Sequence, residues 1–140
     1  MNAKLKGNKK ILDKKRLTNS FKYAFTGVAT AYKTEQNLRI HTVMAILVII
    51  FGFLFKISNL EWFVCLILIG LVLMAEFFNT ALENIVDMIT TDINPYAKNA
   101  KDMASSGVLA MAIISAIVGL IIFVPKIIVF IGGWLWKKNY

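Results

Sequence analysis

The chain has 140 residues, of which 58% are hydrophobic, and a formal net charge of +8. This apolar share is above that of a soluble globular domain, which is nearer half, and the mean hydropathy is +0.66. We therefore expect an integral membrane protein. The first 39 residues hold ten of the 16 Lys and Arg. We expect this basic segment to be attracted to anionic lipid headgroups rather than to a nucleic acid.

The chain begins with a basic segment. Residues 1–15 are rich in lysine, and we expect them to be largely disordered. From 16 to 34, apolar residues recur at three- and four-residue spacing: Leu17, Phe21, Ala24, Phe25, Val28 and Tyr32. This spacing predicts an amphipathic helix. Such a helix lies either in the membrane surface or against the other helices, and the sequence leaves both open.

Three apolar blocks follow, at 40–55, 62–75 and 108–124. A bilayer core about 30 Å thick needs roughly 20 helical residues, so with their flanks these blocks predict transmembrane helices at 38–55, 60–90 and 101–124. The alternative is a soluble bundle, whose helices each need a polar face. The blocks are apolar all round, which favours the membrane. We therefore predict an all-α membrane protein, with residues 16–126 as its domain.

Two prolines mark the expected helix ends. Pro95 lies in a polar connection, 91–100, and a proline cannot continue a helix without cost. Pro125 and Lys126 interrupt the third helix, so 127–140 is expected to be an apolar tail at the interface. Because basic segments stay in the cytoplasm, the N-terminus and the 91–100 connection are predicted to be cytoplasmic.

The second predicted transmembrane helix carries a polar stripe at its C-terminal end. At 100° per residue, Glu76, Asn79, Glu83 and Asp87 fall within about 80° of one another. Glu76 lies at the edge of the hydrocarbon, where an ionisable residue is costly and points to function, and Glu83 lies about 10 Å further out. Interhelical hydrogen bonding is the alternative explanation, and for Asn79 alone the two are evenly balanced.

Further polar residues are expected at the same membrane boundary. Glu35 precedes the first span, and Lys101 and Asp102 open the third. Carboxylates for Mg²⁺ and cations for phosphates are what a metal–nucleotide complex needs, although the P-loop pattern is absent. We expect His41 to be interfacial rather than a ligand.

These residues form motifs that resemble the small membrane-embedded prokaryotic diacylglycerol kinase family, and most closely its Gram-positive branch, the undecaprenol kinases. The segment 76–87, EFFNTALENIVD, is similar to the family pattern E-x-x-N-[ST]-A-[IL]-E-x-x-V-D. The segment 100–102 matches the family's A-K-D, and 34–41, TEQNLRIH, resembles T-E-R-N-F-R-I-H of the Gram-positive branch. Asn94 departs from the pattern, because His is common there.

The resemblance implies specific roles. Glu76 would be the general base toward the lipid hydroxyl, with Ser105 beside it in substrate binding. Glu35 and Glu83 would bind the Mg²⁺ of Mg-ATP. The remaining expected site residues are ATP contacts and supporting polar groups: Arg16, Tyr23, Lys101, Asp102, Asn79 and Asp87. The resemblance also implies a homotrimer with sites between subunits.

The sequence thus predicts an ATP-dependent lipid kinase in the bacterial cell membrane, with its site on the cytoplasmic side. Undecaprenol is the preferred substrate because of the Gram-positive-like segments, and diacylglycerol is the alternative. From another class, a small oligomeric proton channel or transporter would use Glu76 as its carrier. The stripe together with Lys101 and Asp102 favours phosphoryl transfer, because a channel needs no metal–triphosphate site.

Overall fold

The computed structural model describes residues 14–138, with side-chain surroundings through residue 132. Within these residues all regular structure is helical: α1 (Lys14–Thr34), α2 (Gln36–Leu54), α3 (Asn59–Ile89) and α4 (Pro95–Lys138). Three of them, at Gln36–Leu54, Asn59–Ile89 and Pro95–Gly132, are long and apolar enough to cross a membrane. The prediction of three helices able to span a membrane is confirmed. Most of the predicted N-terminal tail lies outside the described residues.

The chain forms two separate units. The first contains α1, and the second begins at Glu35 and contains α2, α3 and α4. Glu35 has an extended backbone, with φ −96° and ψ 115°, which ends α1 before α2 begins. In the second unit α3 packs mainly along α4 and also against α2.

The turn between α2 and α3 follows from local sequence. Ser58 caps α3: its hydroxyl accepts from the Glu61 backbone N–H at 3.3 Å, and the Glu61 carboxylate accepts from the Ser58 N–H at 2.7 Å. This reciprocal capping box satisfies two backbone donors that a helix start leaves open. Nearby, Trp62 packs so closely against Gly52 that a Cβ there would lie 2.7 Å from the indole.

The buried core lies at this turn end of the bundle. Ile57, Cys65, Ile122 and Phe123 form its buried cluster. Aromatic rings extend it: Phe55 lies 6.3 Å from Phe123 and 5.7 Å from Phe130, between ring centroids. Only 17% of the most apolar window in each spanning helix is buried within the chain. The remaining apolar surface is suited to lipid or to further subunits.

The helix α4 differs from its prediction at both ends. It begins at Pro95 rather than at 101, because the Asn94 side chain accepts from the Tyr96 N–H at 2.8 Å and caps the helix. Proline suits the first helical position, where its missing N–H is not needed. Thus the residue that departs from the family pattern acts as a helix cap.

At the other end, α4 continues through Pro125 to Lys138, where an interruption was expected. Proline removes one helical hydrogen bond, but breaking a helix near lipid would expose several backbone groups, so membrane helices tolerate proline. The turn after Pro125 is also held in place. Lys126 Nζ lies 2.9 Å from Glu61 Oε1, and Phe130 packs edge-on against Phe55.

Candidate functional site

The most deeply buried charged side chain is Glu76 of α3, which is 1% exposed. The His41 Nε2 atom of α2 lies 3.2 Å from its Oε1 atom. This contact lacks hydrogen-bond alignment, so Glu76 Oε1 has no hydrogen-bond donor among the described residues. A carboxylate that is shielded from water and incompletely satisfied is well placed to accept a proton from a substrate.

The polar stripe on α3 follows the helix as predicted, and its exposure rises along it. Glu76 and Asn79 are buried, Glu83 is half-buried and Asp87 is exposed. A hydrogen bond joins the two middle residues of the stripe, which are one helical turn apart: Asn79 Nδ2 donates to Glu83 Oε1 at 2.9 Å. The gradient follows the expected division between a dry residue, Glu76, and a wetter one, Glu83.

Two more buried side-chain oxygens lie about one helical turn after Glu76 on α3. Asn79 Oδ1 and Thr80 Oγ1 are buried and have no hydrogen-bond donor within the described residues. Buried polar atoms are nearly always satisfied in native proteins, so these two oxygens can accept a hydrogen bond from water, a ligand or a neighbouring chain. Thr80 was not among the residues expected at the site.

Glu35 and Glu83 are the two residues expected to hold a metal. Both carboxylates lie within electrostatic range of Glu76. No cluster of three His, Cys, Asp or Glu that could hold an ion occurs in the described part of the chain. Mg²⁺ bound with a nucleotide needs only one or two carboxylates, because phosphates and waters complete its octahedron. The Glu35 and Glu83 carboxylates match this requirement in number and in ligand type.

One ion pair joins the C-terminal end of α3 to the start of α4, and a second lies within α4. Lys101 Nζ pairs with Asp87 Oδ1, which ties the start of α4 to the last turns of α3. Asp102 pairs with Lys98 one turn earlier on α4, and both side chains are exposed. The structure thus brings Lys101 to the polar stripe, although its ammonium meets a carboxylate there. Ser105 is exposed, one turn after Lys101.

Arg16 and Tyr23 lie on α1, in the other unit, and both are exposed. Like Thr80, His41 was not predicted as a site residue, because we expected it to be interfacial and not a contact of Glu76. The sequence indicates the contact only weakly. His41 stands at the start of an apolar helix, and apolar periodicity does not determine which residues of two helices that are apolar all round face each other.

An apolar cavity leads away from His41. It has a volume of about 620 Å³ and is lined by residues of α2, α3 and α4, from His41 and Met44 at one end to Phe123 and Ile127 at the other. Its walls are almost wholly hydrophobic; the Ser115 hydroxyl, which has no partner among the described residues, is an exception. At its polar end the cavity reaches His41, which contacts Glu76.

Comparison with known proteins agrees with this chemistry. Residues 22–123 match the family model for prokaryotic diacylglycerol kinase. The chain is similar to an undecaprenol kinase from Bacillus subtilis, with 43% identity over 112 residues, covering 80% of this chain and 91% of that protein.

Two further relatives carry the other substrate in their names. A diacylglycerol kinase from Synechocystis is 37% identical over 110 residues, covering 78% of this chain and 63% of that protein. A diacylglycerol kinase from Haemophilus influenzae is 32% identical over 108 residues, covering 76% of this chain and 92% of that protein. The chain belongs to the prokaryotic diacylglycerol kinase family of lipid kinases.

Proposed function

We propose that this protein transfers the γ-phosphoryl group of ATP to the hydroxyl of undecaprenol, making undecaprenyl phosphate. The observation that carries the proposal is Glu76, a buried carboxylate whose Oε1 has no aligned hydrogen bond among the described residues. It lies 3.2 Å from Nε2 of His41, which lines the apolar cavity. The 43% identity to an undecaprenol kinase favours this lipid alcohol. The diacylglycerol kinases among its relatives make diacylglycerol the second candidate.

In the proposed reaction, the hydroxyl oxygen of the lipid attacks the γ-phosphorus of ATP, and Glu76 accepts the proton that this hydroxyl loses. A new O–P bond forms, the bond between the γ-phosphorus and the bridging oxygen breaks, and ADP leaves with that electron pair. His41, 3.2 Å from the carboxylate and in the wall of the cavity, would position Glu76 for this step. Most of the rate enhancement in such transfers comes from positioning and charge stabilisation.

Glu35 and Glu83 would hold Mg²⁺, which when bound neutralises charge on the β- and γ-phosphates. Asn79 holds Glu83 in place through its amide. We assign Lys101 and Asp102 to the nucleotide side, with Asp87 positioning Lys101, and Arg16 and Tyr23 of α1 to ATP contacts. Ser105 is assigned to the substrate. ATP is confined to the cytoplasm, so we assign this end of the bundle to that side of the membrane.

We further propose that the chain works as a homotrimer with sites between subunits. Buried oxygens of Glu76, Asn79 and Thr80 that accept no hydrogen bond among the described residues support a site that a neighbouring subunit helps to complete. The large exposed apolar surface of α2, α3 and α4 supports association within the bilayer. Chemical crosslinking in lipid would give a trimer band, and a monomer alone would contradict the assignment.

The Glu76→Gln variant tests the site. Glutamine keeps the shape of glutamate but cannot accept the proton, so we expect turnover to fall by about 10²–10⁴-fold while the helical fold and the oligomer persist. Phosphorylated lipid is measured after addition of Mg-ATP to purified protein in lipid, with helical content checked by circular dichroism.

Glu61→Gln is the matched control. It makes the same change on the same helix, about 22 Å away along its axis, and glutamine can still complete a capping box. We expect it to keep the activity of the parent. Equal activity in the two variants would show that Glu76 is not the base.

A further inference from the structure

A second, smaller pocket lies at the opposite end of the bundle from Glu76. It has a volume of about 370 Å³ and is lined by Leu54, Phe55, Lys56, Pro125, Lys126, Val129 and Phe130. We call it the turn pocket. Four of its residues come from the part of α4 beyond residue 123, where the match to the family model ends. The pocket therefore depends on the continuation of α4 through Pro125, and the proposed kinase site does not use it.

Lys56 has an unusual backbone in this pocket. Its φ is 51°, the sole positive value at a non-glycine residue in the described part of the chain. Its N–H donates to Phe53 O at 3.3 Å, and the next N–H, of Ile57, donates to Gly52 O at 3.1 Å. This is a Schellman motif, in which the left-handed position is usually glycine. Here the position is occupied by a lysine, although glycine would fit it without steric cost.

The charges at the pocket do not cancel. Lys126 pairs with Glu61 at 2.9 Å, and both side chains are about three-quarters buried. Glu61 is also engaged in the helix cap through its second oxygen. Lys56 is exposed, and no carboxylate among the described residues pairs with it. The three charged side chains leave one net positive charge, on Lys56.

The pocket lies at the turn between α2 and α3, two helices long and apolar enough to cross a membrane. A turn between two spanning helices stands at the boundary of the hydrocarbon, because the hydrocarbon core excludes unpaired backbone groups. Leu54, Val129 and Phe130 give the pocket apolar walls, and the lysines stand at its polar edge. Lysines at such a boundary attract anionic headgroups, and apolar walls suit an acyl chain but not a free anion.

We propose that the turn pocket binds an anionic phospholipid, with the headgroup phosphate on Lys56 and an acyl chain along Val129 and Phe130. The Lys126–Glu61 pair keeps the end of α4 against the α2–α3 turn and so forms the pocket. This binding is separate from the kinase reaction. It assigns a role to the extension of α4 that the catalytic function leaves unexplained.

Native mass spectrometry of the purified full chain, titrated with phosphatidylglycerol or phosphatidylcholine, tests the proposal. We expect the parent to bind phosphatidylglycerol more tightly than phosphatidylcholine. In Lys56→Gly the ratio of the two affinities should fall about fivefold, because one lysine near a headgroup contributes about 1 kcal/mol. Lys56→Arg should retain the preference. Lys56→Gly also relieves the left-handed backbone, so its thermal midpoint should equal or exceed that of the parent.

Lys98→Gln is the matched control, because it removes one exposed lysine from the opposite end of α4. It should keep the preference for phosphatidylglycerol. An equal loss in Lys98→Gln and Lys56→Gly would mean diffuse charge attraction and overturn the proposal. The proposal also fails if Lys56→Gly binds like the parent, or if inorganic phosphate displaces the lipid. None of these outcomes depends on kinase activity.

Discussion

The contact between His41 and Glu76 determines how the proposed base is presented. Glu76 is almost fully buried, and burial of a carboxylate is costly unless a partner compensates for it. His41 Nε2 lies 3.2 Å away and limits the orientations that the carboxylate can adopt. It also lines the apolar cavity, so it lies between the proposed base and the proposed lipid chain.

We expect His41→Leu to lower kcat by about tenfold or more, and by less than Glu76→Gln does, because a misplaced base still accepts protons. The KM for ATP should be nearly unchanged, since His41 faces the lipid cavity. His41→Gln, which keeps a polar side chain near Glu76, should recover part of kcat. Steady-state kinetics with both substrates varied measures this. A fall confined to the KM for ATP would contradict the positioning role.

At the level of the elements, local sequence determines the helices and the stripe on α3, but not how the helices meet. Their spacing at 100° per residue was enough to predict one shared face for Glu76, Asn79, Glu83 and Asp87. The Asn79–Glu83 hydrogen bond connects two residues of that face. The His41 contact crosses between α2 and α3. Both helices are apolar in that region, so no periodic pattern specified which residues would face each other.

The helix α4 shows two further limits of sequence reasoning. Pro95 was interpreted as a barrier to helix continuation, but it occupies the first helical position behind the Asn94 cap. Pro125 was interpreted as an end, but the ion pair of Lys126 with Glu61 and the packing of Phe130 on Phe55 hold the following turn. Both partners lie about 65 to 75 residues earlier in the chain, beyond the reach of local propensity.

The close approach of α2 and α3 depends on Gly52. A Cβ at this position would lie 2.7 Å from the Trp62 indole, so Gly52→Ala should lower the free energy of unfolding by about 1–3 kcal/mol. Gly70→Ala is the matched control, since nothing in the described chain lies within 4 Å of its added Cβ. Unfolding in mixed micelles measures both. A neutral Gly52→Ala would show that the contact with Trp62 is loose.

For the whole molecule, the apolar blocks were enough to predict three membrane-spanning helices, because span length and hydropathy are summed properties. The family followed from the motif at 76–87, and the comparisons confirmed it. The second pocket could not be predicted, because it forms where the α2–α3 turn meets the continuation of α4. The two ends of the bundle are thus assigned to different ligands: a nucleotide with a lipid alcohol at one, and an anionic phospholipid at the other.

The most direct test of the central claim is phosphate transfer itself. Purified protein in vesicles receives γ-labelled ATP with Mg²⁺ and either undecaprenol or diacylglycerol, and labelled lipid is measured over time. We predict labelled undecaprenyl phosphate, with a higher kcat/KM for undecaprenol than for diacylglycerol and loss of transfer in Glu76→Gln. A higher kcat/KM for diacylglycerol would assign the second candidate substrate. Absence of label in both lipids would contradict the account.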